Sequence, residues 1–219
     1  MTLSPTARST LRRHRDRARS DRAELYELLD SGLVCYLGLV LDGAPVVLPT
    51  GYGRDDDTLY LHGSSGAASL LAAGAGAPAC VTVTRLDGIV YARSVFHFSM
   101  NYASAVIHGT ARSITDVAAK RHGLRLIVEH LAPGSWRHAR QPTRRELAAT
   151  HVLALPLDEA SVKVRSGPPV DDDEDVDAGA AWAGVLPVHR RWGPPICAPD
   201  LVADLDVPSH VTIRTPPCP

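Results

Sequence analysis

From Leu33 to Ile114 the chain is a succession of short apolar runs cut by acidic and glycine turns, and that rhythm restricts it to a mainly antiparallel β fold. Leu33-Val34-Cys35-Tyr36-Leu37-Gly38-Leu39-Val40 leads to Asp42-Gly43, Pro45-Val46-Val47-Leu48-Pro49 returns, Asp55-Asp56-Asp57 turns again, and a strand over 58–62 follows. An Asp-Gly pair between apolar runs signals a tight hairpin, because its favoured turn needs positive φ at both central residues. Three meandering strands begin a barrel or a sandwich. Residues 79–84 alternate, with Val81 and Val83 on one face and Cys80, Thr82 and Thr84 on the other. The next Asp-Gly pair, Asp87-Gly88, predicts a second hairpin whose returning strand sets Tyr91, Arg93 and Val95 side by side. An Arg there needs a partner, since a buried unpaired guanidinium is too costly to keep. Further strands are expected over 103–114, 151–155, 160–165 and, at an edge, 182–187.

Helices flank this β region. Asp21 with Glu24 marks the start of a helix that runs through Leu25, Leu28 and Leu29 to a stop at Gly32. Leu124, Ile127, Val128 and Leu131 form one stripe of a longer helix that Pro133-Gly134 closes, and 143–149 reads as a short one. A chain of 219 residues fits one core, placed at 21–190. Before it, 1–20 carries Arg8, Arg12, Arg13, Arg15, Arg17 and Arg19 with few apolar residues, and is expected to be a solvated arm or one that touches a neighbouring subunit or a ligand phosphate. After it, the proline-rich 191–219 is expected to wrap the surface. The acidic run 171–175 reads as a solvated loop.

A net charge of -1 gives no reason to expect nucleic acid or an anionic membrane as partner. Cys35, Cys80, Cys197 and Cys218 form no C-x-x-C pair, and Cys35 and Cys80 sit in strand-like runs as core thiols. No apolar stretch is long enough to span a bilayer, and the basic start has no apolar segment behind it, so the expected setting is the reducing cytoplasm. P-loop, G-x-S-x-G, H-E-x-x-H and G-x-G-x-x-G patterns are missing. His122, His130 and His138 recur at intervals of eight, but Pro133-Gly134 breaks the helix before His138, so no metal site is assigned.

Two stretches carry candidate chemistry. The strand ending at His62 runs into Gly63-Ser64-Ser65-Gly66-Ala67-Ala68-Ser69 and then a short apolar helix. That arrangement presents free N–H groups to an anion such as a phosphate; it is equally an ordinary β-to-α connection rich in small residues. Phe96-His97-Phe98-Ser99-Met100-Asn101-Tyr102 gathers aromatics in a connection, as at a cleft, an interface or a core edge.

Taken in order, several strings resemble the pyridoxamine 5′-phosphate oxidase-like flavin-nucleotide-binding proteins, in the branch that includes nitroimidazole-resistance proteins. They are Gly51-Tyr52-Gly53-Arg54 with Leu59-Tyr60-Leu61-His62-Gly63-Ser64, Val81-Thr82-Val83-Thr84 with Leu86-Asp87-Gly88, Ala92-Arg93-Ser94, Phe96-His97, Asn101-Tyr102, and Lys163-Val164-Arg165 with Gly167-Pro168-Pro169 and Trp182-Ala183-Gly184-Val185-Leu186-Pro187. The resemblance implies a mainly β fold with flanking helices, a split β-barrel that is homodimeric with FMN at the subunit interface, and an oxidoreductase acting on a small planar or aromatic substrate. It places His62, Gly63, Ser64 and Ser65 at the phosphate, Thr82 and Thr84 along the ribityl chain or ring, and Arg93 with Ser94 near the phosphate or ring edge. His97 completes the cofactor-binding set, and Trp182 would close the cleft from the partner chain; no catalytic residue is implied. Ala67, Ala68 and Ala103 stand where the family often has a base, which leaves phosphate charge to Arg93, Arg112 or the N-terminal arm. Tyr36 and Phe98 stand where relatives often have His, which makes the cleft more apolar. Two other readings stay open: a flavin or cofactor carrier or sensor without turnover, and a split barrel that holds haem in place of FMN with His97 or His62 as axial ligand.

Overall fold

The computed structural model describes residues 2–3, 6–201 and 205–214. Its sheet has ten strands, of which β2, β3 and β4 are joined by tight turns while other neighbours are brought together from distant parts of the chain. The first, β1 (Ala18–Arg19), precedes helix α1 (Arg22–Ser31), whose N-cap Asp21 accepts a hydrogen bond from the Ala23 N–H. Then come β2 (Val34–Leu41) and β3 (Ala44–Asp55), a hairpin whose turn residues Asp42 and Gly43 have φ of 49° and 79°. β4 (Thr58–Ser64), the short helix α2 (Ala68–Gly74), β5 (Pro78–Tyr91), β6 (Ser99–Thr110) and β7 (Arg112–Ser113) follow. Helices α3 (Val117–Leu131), α4 (Ser135–His138) and α5 (Arg144–Ala149) lead to β8 (Thr150–Pro156) and β9 (Glu159–Arg165). Helix α6 (Asp173–Ala178), β10 (Gly184–Pro187) and α7 (Ser209–Thr212) complete the chain.

The strand order is β1-β9-β6-β5-β2-β3-β4-β8-β7, with β10 added antiparallel to the end of β5. Inward alternation from these strands makes one core that includes Leu37, Tyr52, Leu59, Leu61, Val81, Val83, Ile107, Leu153, Leu155 and Val162, closed at one end by Leu25 and Leu29 of α1. Tyr52 is fully buried, but its hydroxyl donates to the carbonyls of Leu29 and Gly32 at 2.5 and 3.1 Å, so no polar group is stranded. A smaller core, built from Ile114, Leu124, Leu147, Val152 and Ala154 with Tyr60 and Trp136, lies between β4, β8, α3 and α5. The capping box Thr143/Glu146 starts α5, and Gly134 at φ 84° follows the end of α3, both where the sequence signals put a boundary. Among the described residues no helix is long and apolar enough to cross a membrane.

Three expectations need correction. Asp87-Gly88 is not a hairpin turn: β5 continues through it to Tyr91, still paired with β6, and a bulge between Leu86 and Gly88 absorbs the extra residue. Arg85 Nε donates to Asp87 Oδ1 at 2.8 Å, and β10 covers the far half of β5, so both sides of the strand stay occupied. Arg93 and Val95 consequently lie beyond the strand and do not share its face with Tyr91.

The N-terminal arm is docked at several points, although most of its residues stay exposed. Leu3 is buried in the main core, β1 pairs with β9, and Thr6 and Arg8 both bond Glu159. The acidic run is not simply a solvated loop either, since Asp173–Ala178 is helical and the Asp171 side chain is 1% exposed.

Candidate cofactor site

Alternation along the strands leaves one broad face of the sheet open. Printed across it are rows of directly paired residues: Ser161, Val106, Thr82, Tyr36 and Pro49 in one, and Glu159, His108, Cys80, Gly38 and Val47 in the next. Val34 and Tyr36 are each 47% exposed, and Val40 and Val47 are 61% and 64% exposed. Such a contiguous apolar surface marks a binding or association face, with Thr82 and Thr84 supplying hydroxyls within it. Ala103, by contrast, points into the core at 4% exposure, so no cation could occupy that position without unpaired burial.

His62 stands beyond the β3 edge of this face. It follows Leu61, whose partner Tyr52 adjoins Gly51, and Gly51 pairs with Val34. Its Nδ1 is buried without a hydrogen-bond partner, and burial pushes the imidazole below its usual range, so the ring is held neutral. Ser64 and Ser65 are exposed at the end of β4 and just past it. The loop's own donors are partly used: Ser65 N–H goes to the Ala149 carbonyl at 2.9 Å, Gly66 N–H to Ser64 Oγ at 3.2 Å and Ala67 N–H to the Ser64 carbonyl at 3.0 Å. Gly63 keeps close packing below the loop, since a Cβ there would sit 2.5 Å from Leu70 Cδ1.

Arg93, Ser94, His97 and Trp182 gather at the far end of β5. The Arg93 backbone N–H and Nη1 each reach a carboxylate oxygen of Asp171 at 2.9 Å, so the partner its charge required is a carboxylate of its own chain. Burial would raise the Asp171 carboxyl, but the hydrogen bonds from Arg93 outweigh it and hold the group below the usual range. Ser94 Oγ accepts from the Phe96 N–H. His97 Nε2 lies 3.2 Å from Asp172, and with Asp175 these ligand atoms fall within 4.8 Å of one another on the surface. Tyr91 packs against Phe98 and Trp182 with ring centroids 5.5 and 5.7 Å apart, while Trp182 stays 69% and Phe96 86% exposed. Trp182 thus leans on its own chain's Tyr91.

The expected set therefore falls into two groups, His62 to Ser65 and Arg93 to His97 with Trp182, with Thr82 and Thr84 on the sheet face between them. The sequence reading missed Asp171, although the requirement that Arg93 be paired pointed to an acid. Arg165, named in a matching string but given no role there, is buried and donates to Asn101 Oδ1 and to the carbonyls of Gly167 and Pro168, fixing the chain that leads to Asp171. The three histidines at intervals of eight part company: His122 bonds Asp55, His130 bonds the Gly32 carbonyl, and His138 packs on His210.

Replacing Asp171 with alanine should strip Arg93 of its partner and cost about 1–2 kcal/mol, discounted because the guanidinium is partly solvated. A urea-unfolding double-mutant cycle with Arg93→Met checks this: the double variant should lose no more than either single one, and full additivity would show the pair to be uncoupled.

Acid should also weaken the fold. His62 and His130 are both pushed down by burial, for His130 against the opposing effect of its bond to Gly32. The unfolded chain takes up protons near an ordinary pKa of about 6.5, while the folded chain resists until its lower values are reached. Stability should be fully present above that value and fall as pH drops below it. Denaturation midpoints at pH 7.5 and 5.5 measure the slope, which should be shallower in His130→Gln; an identical slope would remove His130 as a source.

A family model described as pyridoxamine 5′-phosphate oxidase matches residues 21–164. Among solved structures, the flavocytochrome Anf3 from Azotobacter vinelandii is 37% identical, with a TM-score of 0.90 and coverage of 96% of this chain and 97% of that one. The FAD and haem binding protein from Mycobacterium smegmatis is 43% identical, with a TM-score of 0.86 and coverage of 90% and 96%. A 5-nitroimidazole antibiotic resistance candidate from Bacteroides thetaiotaomicron is 25% identical, with a TM-score of 0.59 and coverage of 67% and 86%. No curated protein matches.

Proposed function

Because the chain belongs to the pyridoxamine 5′-phosphate oxidase family and has its split β-barrel, we propose that it is a flavin-dependent oxidoreductase that also holds haem and works as a homodimer. The observation that carries this reading is the likeness, over nearly the whole chain, to a flavocytochrome and to a protein that binds both FAD and haem. It favours the dinucleotide FAD over the FMN expected from sequence, and haem beside the flavin in place of haem instead of it. A bound flavin supplies hydride or electron transfer, and a haem iron supplies one-electron chemistry.

The residues present fit such groups. The open strip of Val34, Tyr36, Val40 and Val47 offers a planar ligand an apolar bed, and the Thr82 and Thr84 hydroxyls give it hydrogen bonds at fixed register. His62, neutral and with an unsatisfied nitrogen, has the lone pair an axial ligand needs. Phe98 and Trp182, both packed on Tyr91 and still largely exposed, would supply aromatic surface at the Arg93 end. A second copy of the chain would cover the strip and complete the cleft, since one subunit leaves its aliphatic and aromatic residues in solvent. The same flat apolar character suits a small planar or aromatic substrate. A reducing, cytoplasmic setting accords with the free thiols Cys35, Cys80 and Cys197.

The test is the visible spectrum of freshly purified protein, with the flavin released by heat and identified by chromatography, and sedimentation at low micromolar concentration. Flavin and Soret bands together in a dimer are expected. Colourless protein that takes up neither group on reconstitution would overturn the cofactor reading, and a monomer holding both groups stoichiometrically would overturn the shared site.

A further inference from the structure

The docked N-terminal arm concentrates positive charge in a chain whose net charge is -1. Arg8 is paired with Glu159 and Arg19 with Glu24, but among the described residues Arg12, Arg13, Arg15 and Arg17 make no ion pair. The only acid within that stretch is Asp16. Lys163 faces Ala18 across the β1–β9 pairing, and Arg165 lies close enough to be repelled by Arg17. A cluster of one sign of charge raises the local concentration of anions and favours one bound among its members.

Between the arm and β9 lies a cavity of ≈ 530 Å³, lined by Arg15, Arg19, Ser9, Thr10 and Ser161 and by a larger apolar part that includes Leu11; Arg12, Arg17 and Lys163 each adjoin a lining residue in the chain. That size and mixture suit a nucleotide. The cavity also has a fixed relation to the cofactor face. Ala18, Lys163, Ser104 and Thr84 are consecutive partners in one cross-strand row, so the arm is three strand spacings, about 14 Å, from Thr84. A ribityl chain and two phosphates laid along that row would bring an adenosine from the Thr82 and Thr84 hydroxyls to the arm. A mononucleotide would end short of it.

We infer that the arm and β9 form the subsite for the diphosphate and adenosine of a dinucleotide flavin, with Arg12, Arg13, Arg15, Arg17 and Lys163 supplying its charge. This rests on the flavin reading above. It assigns the arm the phosphate-binding charge that Ala67, Ala68 and Ala103 do not provide.

The experiment measures the affinity of apo-protein for FAD, for FMN and for ADP, which carries the adenosine and both phosphates without the ring. Wild type is compared with a variant combining Arg12→Gln, Arg13→Gln, Arg15→Gln and Arg17→Gln, with circular dichroism to confirm the fold and Lys163→Gln as a second variant outside the arm. FAD and ADP should each weaken by about 30-fold or more in the arm variant, and FMN by less than about threefold. Equal losses for FAD and FMN, or no loss of FAD and ADP, would overturn the subsite, as would wild-type protein that binds no ADP and prefers FAD no more than FMN. ADP binding that is lost in the variant, in a protein that takes up no flavin, would leave the subsite standing and sink the flavin reading instead.

Discussion

His62→Ala protein, purified with haem supplied during expression, should lack the Soret band and retain its flavin absorbance. Two imidazoles were open for the axial position, and their surroundings differ in the property that matters. A ligand to iron must be neutral and must offer a lone pair. His97 Nε2 lies 3.2 Å from the Asp172 carboxylate, which engages that nitrogen. His62 has no charged partner, is held neutral by burial, and has a nitrogen that nothing in the described chain satisfies. An unsatisfied buried polar atom costs roughly 1–3 kcal/mol, a penalty that binding can relieve by repositioning the ring. His97→Ala should therefore keep its Soret band, and added imidazole should restore it in His62→Ala by occupying the space left behind. A full Soret band in His62→Ala, or its loss in His97→Ala alone, would transfer the assignment to His97.

Signals that act within a few residues were legible in the sequence. Asp21 and Thr143 cap helices, Pro133-Gly134 ends one, and Asp42-Gly43 turns a hairpin, because each depends on its own φ and its own side-chain hydrogen bonds. Asp87-Gly88 is the same dipeptide with the opposite outcome. Whether it turns or bulges is decided by β6 and β10 pairing along both sides of β5, and those partners come later in the chain. The docking of the arm was hidden for the same reason: Leu3 and Arg8 are stabilised by the core and by Glu159, more than a hundred residues away. At the candidate site, the need of Arg93 for a partner could be argued from the cost of burying charge, but the identity of Asp171 could not, because 171–175 is an unbroken run of acids. The row that joins Thr82 to Tyr36 and Pro49 is likewise a property of register, which alternation alone leaves free.

Gly53→Ala should be among the most damaging single-methyl changes available. Gly53 pairs with Tyr60 in the β3–β4 ladder, and α3 lies directly across it. A Cβ at this position would sit 2.6 Å from both the Ile127 nitrogen and the Leu126 carbonyl carbon. These are helix backbone atoms, so no side-chain rotation can make room; either α3 lifts or β3 sinks. Lifting α3 would pull Leu124 from the small core and Ile127 from full burial, and would disturb Leu131, whose Cδ1 lies 3.0 Å from where a Cβ on Gly51 would stand. Gly51 adjoins the approach to His62, so cofactor retention should fall with stability. Overpacking against rigid backbone costs about 3 kcal/mol or more, which in a domain of this size lowers Tm by about 6–12 °C. Gly66→Ala is the control, because the nearest atom to its added methyl is Ser64 Oγ at 3.8 Å. Thermal unfolding of the two apo-proteins measures the contrast. A Gly53→Ala protein that melts within about 2 °C of wild type would mean that α3 does not lie on β3 as closely as described.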